Sequence, residues 1–261
     1  MRIAKVPFSK GSLGKSEGCE LAPDEIVEQT KEIFLSEDGR SFEFKTDKLP
    51  VNNSNITETN KNIFDYVMQQ DEPLIMLGGD HSITYSAFMA FSKKFKDAGI
   101  VIFDAHPDCE NYFKPPSHED FVNVLVKDNI VNKNNIIIIG IRNWDKNEFE
   151  FLKNNKIKHF TMKEIFEEGV RDVCDAVMSV AKDFGALYVS VDIDSLDPAF
   201  APGTGYIEPG GLSSRQLLYF LSRLKKLNNL KMVDVVEINP KKDINHLTSK
   251  LGAKILVEMI K

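Results

Sequence analysis

The chain has 261 residues, 42% of them apolar and 28% charged, with a net charge of -6, which describes a soluble globular protein with material for one large core. Its lysines are scattered or paired with acids, so the clustered cations that neutralise phosphates are missing and nucleic acid is excluded as the main partner. No stretch approaches the roughly 20 apolar residues of a membrane span.

The N-terminus, Met1 to Val6, lacks the apolar core of a secretory signal, and a cytoplasmic location is expected. Cys19, Cys109 and Cys174 show no Cys-x-x-Cys spacing, so neither a disulfide framework nor a zinc knuckle is supported. Cys109 reads as a small packing residue. No Pro/Gly/Ser-rich linker, composition shift or internal repeat divides the chain, and a single domain over residues 1–261 is expected.

In chain order, apolar strand candidates fall at 2–7, 73–77, 99–103, 136–140, 187–191 and 231–236, with shorter ones near 42–46 and 157–160. Most are continuous rather than alternating, the mark of strands buried on both faces. Helical patterns lie at about 82–96, 144–154, 161–184 (broken near Gly169), 213–227 and 248–260. Ser213 and Ser214 precede a stripe of Leu217, Leu218, Leu221 and Leu224 and are suited to cap it. Alternating strands and helices predict an α/β protein with a parallel sheet covered on both sides and its crevice at the carboxyl ends of the strands.

Three strand candidates run into polar clusters at that edge. The 99–103 run stops in Asp104, His106 and Asp108, which face the same way in an extended chain. The 187–191 run stops in Asp192 and Asp194, again two apart, and 73–77 stops in Gly78-Gly79-Asp80-His81-Ser82, where Asp80 or Ser82 can cap the following helix. Taken singly, an Asp after a strand is an ordinary cap or turn former, and His81 an ordinary structural histidine. Four carboxylates converging on one crevice are another matter, because their repulsion in low dielectric is prohibitive without cations. Two divalent ions cancel four carboxylates. With two imidazoles added, the thiolate-free set points to Mn2+ rather than structural Zn2+, and a water between two such ions ionises near neutral pH.

Gly78-Gly79-Asp80-His81-Ser82, Asp104-Ala105-His106-Pro107-Asp108 and Ser190-Val191-Asp192-Ile193-Asp194-Ser195-Leu196-Asp197-Pro198, in this order, resemble the three signatures of the ureohydrolase (arginase, agmatinase, formimidoylglutamase) family. Residues 198–205 and 208–212 resemble its long active-site loop in agmatinase wording, Val235-Val236-Glu237-Ile238-Asn239-Pro240 resembles the strand bearing a substrate-facing glutamate, and residues 18–26 resemble its N-terminal segment. The resemblance implies a three-layer α/β/α domain with a mostly parallel sheet and a dinuclear manganese site of His81, Asp104, His106, Asp108, Asp192 and Asp194. It further implies hydrolysis of a guanidino group to urea and an amine, with Asp108 carrying the proton to the leaving amine and Glu237 pairing with the guanidinium. A surface-facing strand-end acid is the plain alternative for Glu237. Homo-oligomers, trimers or hexamers, are expected by the same resemblance.

His118 falls where the family keeps a proton-shuttling histidine, but Glu119 and Asp120 follow it in place of the family's usual residues. Two acids beside an imidazole favour its charged form, suited to a shuttle, unless the loop is simply solvated. Glu110, Glu119 and Asp120 also suit the distal amine of agmatine, which is the expected substrate. A guanidino acid or formimidoylglutamate held by Lys114 is second, and arginase activity is a further alternative. Outside the family's chemistry stand a mononuclear Zn deacetylase-like amidohydrolase and a non-catalytic regulatory relative.

Overall fold

The continuous apolar runs become strands whose alternate side chains enter two separate cores. The computed structural model describes residues 1–71 and 73–260, and every statement below concerns those residues. They form one sheet of β1 (Arg2–Val6), β2 (Lys45–Lys48), β3 (Leu74–Gly78), β4 (Ala98–Phe103), β5 (Ile136–Ile141), β6 (Lys158–Thr161), β7 (Ala186–Asp192) and β8 (Leu230–Val236). Every ladder is parallel, in the spatial order β2, β1, β3, β8, β7, β4, β5, β6.

The helices are α1 (Ala22–Gln29), α2 (Ile56–Met68), α3 (Ile83–Lys94), α4 (Phe121–Lys127), α5 (Lys146–Asn155), α6 (Met162–Glu168), α7 (Val170–Ala181), α8 (Ser214–Leu224) and α9 (Leu247–Met259). On one face Ile75, Leu77, Val101, Phe103, Val189 and Val191 pack against α1, α6, α7, α8 and α9. On the other Leu74, Met76, Ile100, Ile102 and Tyr188 pack against α2, α3, α4 and α5. The result is the expected three-layer α/β/α arrangement, with the mostly parallel sheet turning out to be parallel throughout.

Helix ends follow their chemistry. Ser213 caps α8 through the amide of Gln216, whose side chain reaches back to Ser213, and Gly169 at φ 92 separates α6 from α7. The start of α3 departs from expectation. Ser82 is its N-cap residue but makes no capping bond; its hydroxyl turns back to Asp80. Asp80 also accepts the amides of Ser82 (3.1 Å) and Gly11 (2.8 Å), tying the N-terminal loop to the end of β3. The strand expected at 42–46 lies at Lys45–Lys48, because Phe42 and Phe44 stack on each other and pack on the core outside the ladder. No helix is long and apolar enough to cross a membrane.

Candidate metal centre and active-site cavity

The four central strands β3, β8, β7 and β4 are neighbours, so their carboxyl ends bring Gly79–His81, Glu237, Asp192 and Asp194, and Asp104 to Asp108 to one edge. Close backbone approach makes this possible. A side chain on Gly79 would meet the carbonyl oxygen of Phe8 at 1.7 Å, and the Gly79 carbonyl accepts the Glu237 amide at 2.8 Å. Two acids pay in backbone strain: Asp108 (φ 52) and Glu237 (φ 62) both adopt the left-handed region that non-glycine residues avoid, a recurring feature of functional positions.

Three carboxylates of the centre are each held at one oxygen and present the other. Asp104 Oδ1 accepts the His106 amide (2.7 Å), Asp192 Oδ1 the Asp194 amide (2.8 Å) and Asp194 Oδ1 the Ala105 amide (3.1 Å). The free oxygens converge on the imidazoles. His81 Nδ1 lies 3.1 Å from Asp104 Oδ2, 3.0 Å from Asp108 Oδ2 and 3.2 Å from Asp192 Oδ2, while His106 Nδ1 lies 3.2 Å from Asp194 Oδ2. Two groups, His81–Asp104–Asp192 and Asp104–His106–Asp194, each bring their ligand atoms within 4.8 Å of one another and share Asp104. Asp108 adjoins the first through His81.

The electrostatics fit a cation pair. His81 Nδ1 and Asp104 Oδ2 are buried without a hydrogen-bond partner. Burial, then the charge of Asp104, pushes Asp108 well above the ordinary carboxylate range; burial, then Asp194 and Asp104, does the same to Asp192. Burial works the same way on Asp104, but the neighbouring imidazoles of His106 and His81 outweigh it and hold its carboxyl low. Burial opposes charge on His81, yet the neighbouring carboxylates of Asp104, Asp108 and Asp192 lift it well above the usual imidazole value. Carboxylates driven apart in this way cannot all ionise in one dry pocket unless positive charge enters it. The donors are carboxylate and imidazole without thiolate, a set suited to hard or borderline divalent ions.

Above the centre lies a cavity of about 240 Å³, whose floor includes His106, Asp108, Asp192 and Asp194. At its back Glu237 Oε1 accepts the His81 amide (2.8 Å) and pairs with His118 Nδ1 (2.9 Å), leaving Glu237 Oε2 and His118 Nε2 buried without partners. Burial opposes charge on His118, but Glu237 outweighs it and raises the imidazole to about 9; the same pairing overcomes burial at Glu237 and lowers its carboxyl.

The expected substrate contacts divide. Glu119 reaches the cavity wall, where its Oε1 accepts Lys15 Nζ (2.6 Å) and the Tyr206 hydroxyl (2.7 Å). Asp120 and Lys114 do not reach it. Asp120 is fully buried and accepts the amides of Phe113 and Ser117 (both 2.6 Å) and the Ser117 hydroxyl, so its charge organises the loop rather than facing a substrate. Lys114 points outward onto Asp128 (3.1 Å) and the Tyr112 ring, and borders a separate groove.

Sequence reasoning missed Lys15, Tyr206, Asp145 and Glu148 in the cavity wall. The spacing Asp145-x-x-Glu148 was readable as a capping box, which it forms at α5, but nothing in it announces a cavity. Burial raises Glu148 to about 7. Tyr206 stacks edge-on against His106, with centroids 5.1 Å apart, and Lys15 lies over its ring at 5.3 Å. Arg142, also missed, binds the carbonyls of Asp194 (2.7 Å), Leu196 (3.1 Å) and Glu208 (2.6 Å) and so ties the long loop after β7 to the centre.

This chain is similar to proteins of one enzyme family. The family model described as "Arginase family" matches residues 1–261. An arginase of Staphylococcus aureus (strain COL) is 32% identical over 212 residues, covering 76% of this chain and 70% of the relative. The crystal structure of formimidoylglutamase from Bacillus subtilis superposes with a TM-score of 0.92 at 27% identity, over 99% of this chain and 85% of that one. A structure of a hypothetical agmatinase from Burkholderia thailandensis gives 0.88 at 26%, over 99% and 84%. With its whole length matched by the family model and its paired Asp/His groups at the strand ends, the chain belongs to the arginase family of metal-dependent hydrolases acting on the C–N bonds of amidines.

Proposed function

We propose that this protein hydrolyses a guanidino group to urea and an amine, and that its substrate carries a second cation at the far end, agmatine giving putrescine being the simplest case. The observation that carries the reading is Glu237 Oε2, a buried carboxylate oxygen without a partner directly beyond the paired Asp/His groups. A planar guanidinium offers the N–H donors that this oxygen lacks, in a fork suited to a carboxylate. Glu237 orients the reacting carbon over Asp108, which carries a proton to the leaving amine. His118, with Nε2 unpartnered beside Glu119, passes protons between the cavity and solvent. His81, Asp104, His106, Asp108, Asp192 and Asp194 would hold two Mn2+ ions, which supply charge neutralisation and Lewis acidity.

The far end is read from the cavity wall, where Glu110, Glu119, Asp145 and Glu148 face Lys15 as the one ammonium. Acids in that excess favour a cation. Lys15 supports a second reading, in which its ammonium takes the carboxylate of a guanidino acid or of formimidoylglutamate, the role that Lys114 is too far out to play. Urea release from agmatine, arginine and guanidinobutyrate, and formamide release from formimidoylglutamate, each with added Mn2+, test both. Turnover of agmatine above the acids is expected, and preference for an acid overturns the cationic reading. Metal analysis giving one Zn2+ per chain instead of two Mn2+ would exclude the paired site.

A further inference from the structure

β8 runs Leu-Lys-Met-Val-Asp-Val-Val, and its acid, Asp234, is fully buried in the middle of the sheet. A carboxylate there is costly unless partnered. Its described side-chain partners are three hydroxyls. Thr84 Oγ1 of α3 donates to Oδ2 (2.7 Å), the Tyr188 hydroxyl donates to the same oxygen (2.6 Å), and Ser190 Oγ donates to Oδ1 (2.6 Å). The β7/β8 register sets Ser190 directly opposite Asp234. Ser190 Oγ also lies 2.9 Å from His81 Nε2.

A hydroxyl has one proton to give, and the carboxylate can only accept, so the Ser190 proton points to Asp234 and the Ser190 oxygen receives the N–H of His81 Nε2. That leaves a lone pair on the other ring nitrogen, Nδ1, which faces the oxygens of Asp104, Asp108 and Asp192. We infer that Asp234, acting through Ser190, is a positioning residue that fixes the His81 tautomer presenting an Nδ1 lone pair to a metal ion. The inference rests on the reading of His81 as a metal ligand given above. It explains why an acid stands between Val233 and Val235 in the buried middle of β8, a place where an aliphatic residue would pack at no electrostatic cost.

The nearly isosteric Asp234→Asn makes an unusual prediction. The amide oxygen stays with its two donors, Thr84 and Tyr188, so the amide N–H turns toward Ser190. Ser190 then gives its own proton to His81 Nε2, and the ring proton moves to Nδ1, where it blocks the metal. Ser190→Ala only removes the acceptor and leaves both tautomers open, and Tyr188→Phe leaves the path from Asp234 to His81 intact. Calorimetric titration of chelator-stripped protein with Mn2+ should therefore show Kd raised about 100-fold in Asp234→Asn, about 10-fold in Ser190→Ala and by less than about threefold in Tyr188→Phe, the range for groups that orient a ligand. Ser190→Thr, which restores the hydroxyl, should recover affinity relative to Ser190→Ala. Should Asp234→Asn fail to fold, the two Ser190 variants against Tyr188→Phe decide. Equal Kd values across the folded variants, or Kd values that merely follow lost thermal stability, overturn the inference while leaving the metal site standing. A wild-type chain that takes up no Mn2+ brings down the metal-site reading and this inference together.

Discussion

The floor and the rim of the cavity are built on different principles. On the floor, side chains are set by strand register: Asp104, Asp192 and Asp194 each surrender one oxygen to a backbone amide two residues away or on the neighbouring strand end, and only the other is free. On the rim, Lys15, Glu119 and Tyr206 come from three loops and hold one another through side-chain tips alone. The floor side chains cannot shift position without moving the sheet, whereas the rim can be rearranged one residue at a time. On a fixed scaffold of this kind, loops are the part free to carry specificity.

The largest break in that contrast is predicted on the floor. Asp108→Asn should lower bound metal, measured by mass spectrometry, and cut urea release by about 10²–10⁴-fold, the span of a lost proton carrier. Circular dichroism should stay that of a folded α/β protein, since Asp108 packs at the edge of the sheet rather than within either apolar core. Full activity in this variant would end the case for Asp108.

Next comes the His118–Glu237 pair at the boundary between floor and rim. The His118 imidazole, raised from 6.5 to about 9, is charged more readily in the folded than in the unfolded chain. Its contribution to stability is therefore complete below pH 6.5 and is lost as pH rises through 9, up to about 3 kcal/mol for a group buried this fully. In metal-free protein, urea denaturation should find His118→Gln less stable than wild type at pH 6, the gap closing by about pH 10. A constant gap would place the pairing outside the folded state. At Glu237, replacement by Gln should remove a charge-assisted bond worth about 1.5–3 kcal/mol, or roughly 10- to 150-fold in kcat/KM on a guanidino substrate.

The smallest effects lie on the rim and separate its two lysines. Lys15→Ala frees Glu119 in the cavity and should lower KM for agmatine, and raise it for guanidinobutyrate, by less than about fivefold, in keeping with a half-exposed ion pair. Lys114→Ala should change neither KM beyond about twofold, because its partner is the surface acid Asp128. A large loss on the acid in the Lys114 variant would put that side chain back at the substrate.

Much of the fold was legible because burial on both faces writes itself into a strand as an unbroken apolar run. Ile136 to Ile139 and Leu187 to Val191 could be little else. Three helices escaped notice. α4 has apolar residues at Phe121, Val122, Val124, Leu125 and Val126, a β-rich run too short to show a helical period, and α1 is only eight residues long. α2 turns Thr59 and Asn60 inward among its apolar residues, which breaks the stripe that a reader looks for; Asn60 is met there by Ser86 at 3.3 Å.

The chain alone determined that Asp104, His106 and Asp108, and Asp192 and Asp194, share a direction at the ends of their strands, because alternation is a local property of extended backbone with a period of two. It also fixed the chemistry, since those carboxylates demand cations wherever they meet. Only the tertiary structure decided that they meet across β3, β8, β7 and β4, that Glu237 keeps one oxygen free, and that Lys15 rather than Lys114 stands at the cavity. Lys15 and Glu119 are 104 positions apart. Contacts of that kind follow from the order in which strands take their places in the sheet, and no short-range pattern along a chain encodes that order.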